Sequence, residues 1–223
     1  MTNQLQGKMN IALSGHSFVV SLYQHIQNQH KQAKSVQEFP RYASHHLQVA
    51  GMAKHIFFHG QSGAKITENF HLPVSLLSQH NPDILILDIG TNDVTNPNLD
   101  VQVIADQIMA HAEAACELFK VRLVVITSVI MREKGLQGYT KEQFLAKAEA
   151  LNSILLNMTA STTNILFHKH PGFSTSHDGS PLPMSHISRD GIHPNTFDGR
   201  RKYVRSITSA IHKAVKRVNL MQQ

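Results

Sequence analysis

A chain of 223 residues, 41% apolar and 16% charged, is long enough for one α/β domain with a buried core, short for two, and too apolar for bulk disorder. Its single Cys excludes an intramolecular disulfide framework, and its net charge of +6 comes without a nucleic-acid motif or aromatic-basic interleaving, the Lys and Arg being scattered except over residues 200–217. The polar start lacks an apolar signal core, and no run approaches the roughly 18 apolar residues of a membrane span, so a soluble intracellular protein is expected.

In chain order, residues 9–13 predict a first strand and 18–30 a helix. Residues 31–46 carry few apolar anchors and read as a loop or an irregular helix. A second short strand is expected at 55–58 and a weak helix at 73–79. Residues 84–89, a run of Ile and Leu with Asp88 near its end, are the clearest strand. Over 99–119 the residues Val103, Ile104, Ile108, Ala115 and Leu118 recur at helical steps. Cys116 falls within this stretch and reads as a buried, inert thiol. Residues 123–127 are β-branched and predict a buried strand, 141–158 a long Ala- and Leu-rich helix, and 165–167 a short last strand. The polar stretch 171–194 reads as a long functional loop. Residues 197–218 close the chain as a basic amphipathic helix bearing Arg200, Arg201, Lys202, Arg205, Lys213, Lys216 and Arg217.

This alternation implies one α/β domain over residues 1–223: a five-stranded parallel sheet between helices, in three α/β/α layers. In such a fold ligands sit beyond the carboxyl ends of the strands.

Four short segments fall at such positions or in the late loop. Ser14-Gly15-His16-Ser17 ends the first strand and opens the first helix, where a Ser hydroxyl and backbone N–H sit at the positive end of the helix dipole. A plain N-cap is the competing reading of that Ser. Gly60-Gln61-Ser62-Gly63 follows the second strand, and its glycines either make an ordinary turn or let backbone N–H groups approach a ligand. Gly90-Thr91-Asn92-Asp93 follows the third strand; Asn92 offers a side-chain amide donor, and Asp93 reads as a cap. In Asp190-Gly191-Ile192-His193-Pro194 the carboxylate and imidazole are three residues apart. Asp190 then reaches the Nδ1–H of His193 while Nε2 turns toward a hydroxyl.

Taken together and in this order, the four segments resemble the sequence blocks of the SGNH hydrolase superfamily, the GDSL-like esterases and lipases. The resemblance spans residues 14–194. It implies the superfamily's flavodoxin-like five-stranded fold and a serine esterase acting through an acyl-enzyme on small carboxyl esters, with short-chain acyl or acetyl groups favoured. It makes Ser17 the nucleophile, His193 the general base and Asp190 its orienting acid. The backbone N–H groups of Ser17 and Gly63 and the amide of Asn92 would form the oxyanion hole. One departure stands out: the family block ordinarily reads Gly-Asp-Ser-Leu, and here it is Gly15-His16-Ser17-Phe18. That change bears on local geometry and rate more than on the proton relay.

Other readings fit less well. Ser62 does not form a nucleophile elbow, because residue 64 is Ala where Gly is required. Neither His45-His46 nor His168-Lys169-His170 carries a zinc-ligand pattern, so no metal and no cofactor is expected. The expected partner is a small-molecule ester, not nucleic acid or a membrane; the oligomeric state is open. The rival class is a catalytically weak SGNH-fold binding module for an anionic polymer, of the kind found in mobile elements, suggested by His16 and the basic last helix.

Overall fold

The computed structural model describes residues 8–29, 38–130, 132, 139–173, 190–194 and 196–223. In chain order it contains β1 (Met9–Gly15), α1 (Ser17–Gln29), α2 (Phe39–His46), β2 (Ala53–Gly60), α3 (Val74–His80), β3 (Ile84–Asp88), a 3₁₀ turn (Asp93–Thr95), α4 (Val101–Phe119), β4 (Leu123–Thr127), α5 (Lys141–Ala160), β5 (Ile165–His168) and α6 (Phe197–Leu220). The strands form one parallel sheet in the order β2-β1-β3-β4-β5. All five expected strands are present.

The pleat sends alternate side chains to opposite faces, and the two faces make two cores. Ile11, Leu13, Ile84, Ile86, Leu123 and Val125 pack under α1, α2 and α6. Ala12, Leu85, Leu87, Val124 and Ile126 pack against α4 and α5. The central strands are therefore apolar on both sides, which explains their unbroken Ile, Leu and Val runs.

Helix starts follow their caps. The Asp100 side chain accepts from the Gln102 N–H, so α4 starts at Val101 rather than at 99. Thr140 and Gln143 form a reciprocal capping box at the start of α5. Thr196 accepts from the Gly199 N–H at the start of α6. Within the stretch expected to be a loop or irregular helix, 39–46 is a helix: Pro40 pre-sets its first turn, and Phe39 and Ala43, one turn apart, are buried. Residues 30–37 lie outside the described residues.

Two readings need correction. Val103 and Leu118 of α4 are exposed, while Ile104, Ala105, Ile108, Met109, Ala112 and Ala115 form the buried stripe. At 100° per residue both positions project away from the middle of that stripe. Cys116 is half-buried, not buried. Burial, with Glu117 and Glu113 adding to it, nevertheless pushes its thiol up to about 11, which keeps it unreactive at neutral pH. Among the described residues no helix is long and apolar enough to cross a membrane.

Candidate active site

The strand order changes direction at β1, which pairs with β2 on one side and β3 on the other. Such a switch leaves a crevice beyond the strand carboxyl ends, and α1 starts there. Gly15 is required at this point, since a Cβ would lie 2.0 Å from the Asp88 carbonyl oxygen. The His16 N–H donates to that same carbonyl at 3.1 Å, and the Gln61 N–H donates to the Gly15 carbonyl at 2.9 Å. The ends of β1, β2 and β3 are thereby tied together beneath Ser17, the first residue of α1.

Ser17 meets the late loop. His193 Nε2 lies 2.9 Å from Ser17 Oγ across 176 residues of sequence. His193 Nδ1 lies 2.7 Å from Asp190 Oδ2. The other carboxylate oxygen, Oδ1, accepts from the backbone N–H groups of Ile192 at 2.8 Å and His193 at 3.0 Å. One carboxylate thus shapes its own turn and anchors the imidazole, with Gly191 at φ 70° closing the turn. This arrangement places the Nδ1 proton toward Asp190 and leaves Nε2 to accept from the Ser17 hydroxyl. Phe18 faces the His193 ring edge-on, with centroids 5.7 Å apart.

The second and third segments abut each other. Asn92 Nδ2 donates to the Ala64 carbonyl at 2.9 Å, directly after Gly63, which holds φ 73°. Asn92 Oδ1 accepts from Arg132 Nη2 at 2.7 Å. Asp93 does not cap a helix. It is buried and accepts from Ile66 N, Thr67 N and Thr67 Oγ1 at 2.8 to 3.1 Å, tying the loop after β2 to the end of β3. Burial raises its pKa against the pull of those hydrogen bonds. Gly90 holds φ 97°, which strains any residue with a side chain, and a Cβ there would press on Ile108 Cδ1 at 3.1 Å. Two polar residues of these segments point elsewhere: Ser14 bonds to His59 at 3.2 Å, and Ser62 is exposed.

Beneath the site lies a buried polar network that sequence reasoning missed. The Asp88 carboxylate accepts from Thr127 Oγ1 at 3.1 Å and from the Tyr203 hydroxyl, and lies 3.5 Å from His16 Nε2. Burial drives its pKa up, but the charge and contact of His16, then His170 and Tyr203, outweigh this and bring it down to about 2. The Tyr203 phenol is pushed well above its ordinary value by burial and by the neighbouring carboxylate. His168 Nε2 and His170 Nδ1 share the Ser206 hydroxyl at 3.1 and 2.7 Å. Arg132 also went unread. It lies beyond the carboxyl end of β4, outside all four sequence blocks. Periodicity gives no sign of it, but that position in the fold does.

Two clefts open nearby. One of about 310 Å³ lies between the ends of β4 and β5 and α5, lined by Ser128, Asn152, Phe167 and Phe173. Another of about 450 Å³ lies between α2 and α6, lined by His25, His46, Phe197, Arg200, Arg201 and Arg205. Neither is lined by Ser17 or His193, so the hydroxyl-imidazole contact, not cavity size, marks the site. Residues 174–189, most of the long loop expected to be functional, lie outside the described residues. Among the described residues no group of three or more His, Cys, Asp or Glu is placed to hold a metal ion.

The fold and the contacts together define a three-layer α/β protein with a hydroxyl, an imidazole and a carboxylate in line at the strand carboxyl ends. The sequence belongs to the GDSL-like lipase/acylhydrolase family, which it matches over residues 3–197, and it is accordingly a carboxylic ester hydrolase. Among curated proteins none matches it. Its fold is similar to that of a GDSL-like lipase from Bacteroides thetaiotaomicron, at 17% identity and TM-score 0.65 over 96% of this chain and 93% of that one. It is also similar to a carbohydrate esterase of family 3 from Talaromyces cellulolyticus, at 16% identity and TM-score 0.59 over 93% and 98%. A third similar structure is an acetyl esterase with a serine-to-alanine mutation, solved with an acetate ion, at 15% identity and TM-score 0.55 over 93% and 98%.

Proposed function

We propose that residues 1–223 form one catalytic domain that hydrolyses small carboxyl esters, acetyl and other short acyl esters first among them, through an acyl-enzyme on Ser17. The observation that carries this reading is the 2.9 Å approach of His193 Nε2 to Ser17 Oγ, with Asp190 behind the ring at 2.7 Å.

In this reaction His193 takes the Ser17 proton as Oγ attacks the ester carbonyl. Asp190 holds the tautomer and stabilises the imidazolium. The Ser17 and Gly63 N–H groups and the Asn92 amide face the tetrahedral oxyanion. One Asn92 N–H is engaged by Ala64, which leaves the other for that role. The tetrahedral adduct collapses, its C–O bond to the alcohol breaks, and the imidazolium protonates the departing oxygen. Water, deprotonated by His193, then attacks the acyl-Ser17 carbonyl; the bond from that carbon to Oγ breaks, the imidazolium returns its proton to Oγ, and the free acid leaves. No step needs a cofactor.

A short acyl group is favoured because the sequence carries no long apolar stretch of the kind that lines a deep acyl tunnel. A long acyl chain gains its binding energy only where it can be buried. One of the proteins that share the fold is named an acetyl esterase, which is compatible with this reading. Family membership weighs against the pure binding module, and no role for nucleic acid is proposed.

The test is a panel of p-nitrophenyl esters from acetate to laurate with the wild type and Ser17→Ala. Turnover is expected to fall with acyl length and to vanish in the variant, and a fluorophosphonate probe should label only the wild type. Equal rates in the two proteins would remove Ser17 from the chemistry.

A further inference from the structure

Asn92 is held at both ends of its carboxamide. Nδ2 donates to a carbonyl, Ala64 O, which can only accept. Oδ1 accepts from Arg132 Nη2, which can only donate. The two contacts together leave a single orientation of the amide: a flip would set Nδ2 against the guanidinium and Oδ1 against a carbonyl. Arg132 is itself built in. It is 4% exposed, and its Cζ lies 5.8 Å from the ring centroid of Phe144, a wholly buried residue of α5. A buried cation is costly unless it is paired. Burial lowers the Arg132 pKa to about 10, and the Asp190 carboxylate acts against that, so the cation lies within electrostatic reach of the acid that orients His193.

We propose that Arg132 is a positioning residue of the active site: it locks the Asn92 amide with an N–H toward the oxyanion and polarises that amide by bonding its carbonyl oxygen. A guanidinium on Oδ1 withdraws electron density from the amide and makes its N–H groups stronger donors. Fixing the donor before reaction removes the cost of reorienting it as negative charge develops. The guanidinium also adds a fixed positive charge to the half of the site where the oxyanion forms. Lys would supply charge without the planar fork that reaches Asn92 while the guanidinium lies over Phe144. This inference rests on Asn92 being a donor to the oxyanion.

The experiment is a double-mutant cycle on p-nitrophenyl acetate hydrolysis with the wild type, Arg132→Met, Asn92→Ala and the double variant. Arg132→Lys serves as the conservative change, and thermal unfolding is recorded for each. Asn92→Ala is expected to lower kcat about a hundredfold or more, the usual loss for one oxyanion donor. Arg132→Met is expected to lower kcat about tenfold to a hundredfold, a part of that loss, and to leave KM within about twofold. The double variant should be no more than about threefold slower than Asn92→Ala alone, because contacting residues that act as a unit are not additive. Arg132→Lys should recover part of kcat. If Arg132→Met does not fold, the same cycle is run with Arg132→Lys, whose smaller loss should likewise disappear in the Asn92→Ala background. Losses that multiply in the double variant, or a loss confined to KM, would overturn the role of Arg132. Full activity in Asn92→Ala would instead overturn the oxyanion assignment on which it rests.

Discussion

His16 occupies the place where the family's first block ordinarily has Asp, and its ring lies 3.5 Å from the buried Asp88 carboxylate. The acid at this corner thus comes from the end of β3, and the first block supplies its partner. Writing the family residue back in would take the ring away from Asp88 and bury a second carboxylate at the same corner. His16→Asp should therefore lower unfolding free energy at pH 7 by about 3 kcal/mol, the scale for breaking a buried pair. Adding Asp88→Asn should recover much of that loss, since one acid then remains. Urea unfolding of the three proteins checks this, and a His16→Asp variant as stable as wild type would show that the ring does not hold Asp88. At this scale Ser17, Asn92, Asp190 and His193 stood out as candidates because each lies in a block of four or five residues whose local spacing has chemical meaning. Arg132 and Tyr203 did not. Their partners lie 40 and 115 residues away, and nothing in their immediate sequence signals a buried polar role.

Among the elements, strands were legible down to a residue or two because a buried parallel strand needs an unbroken apolar run and tolerates little else. Helix faces were less so. Val103 and Leu118 have the right spacing and the right chemistry, yet they face solvent, because which stripe of α4 meets the sheet is decided by how the helix crosses it. The loop after β2 is another case. Its glycines suit an ordinary turn, but a Cβ on Gly60 would lie 2.6 Å from Val20 Cγ2 and 2.7 Å from the Val20 backbone nitrogen. Gly60 is therefore the close contact that seats this loop against the first turns of α1. Gly60→Ala should cost about 1 to 3 kcal/mol by overpacking and should also slow ester turnover, since the displaced loop carries Gly63. Thermal unfolding and steady-state rates on one preparation test both. A variant with wild-type activity would mean that the position of this loop does not matter to the reaction.

Across the molecule, the pH response of stability should be dominated by the buried rings of His168 and His170. Burial, with the nearby His170 and Lys213 adding to it, brings His168 down to about 4. Burial, partly opposed by Asp88, does the same for His170. Both rings are neutral in the fold at pH 7, while in the unfolded chain they take up protons near 6.5. Stability is then full above 6.5 and is lost as pH falls toward 4, by at most about 3 kcal/mol for each ring. Asp88 acts in a separate window: its contribution is present above the ordinary value of 3.8 and is lost only as pH falls toward 2. Unfolding free energies at pH 7, 6, 5 and 4 should trace the first loss, and His168→Asn should flatten it. A slope unchanged by that substitution would place the titrating group elsewhere.

The sequence alone determined the alternation of strands and helices, the order of the four blocks along the chain, and the pairing of Asp190 with His193. These are local properties: apolar period, cap chemistry, and a turn whose carboxylate binds its own backbone. The tertiary structure decided that Ser17 meets His193 across 176 residues, that Asn92 faces one way and not the other, and that a cation from the end of β4 stands behind it. Those outcomes depend on which strand ends lie side by side in the sheet and on how closely the layers pack, and a linear pattern carries no direct record of either.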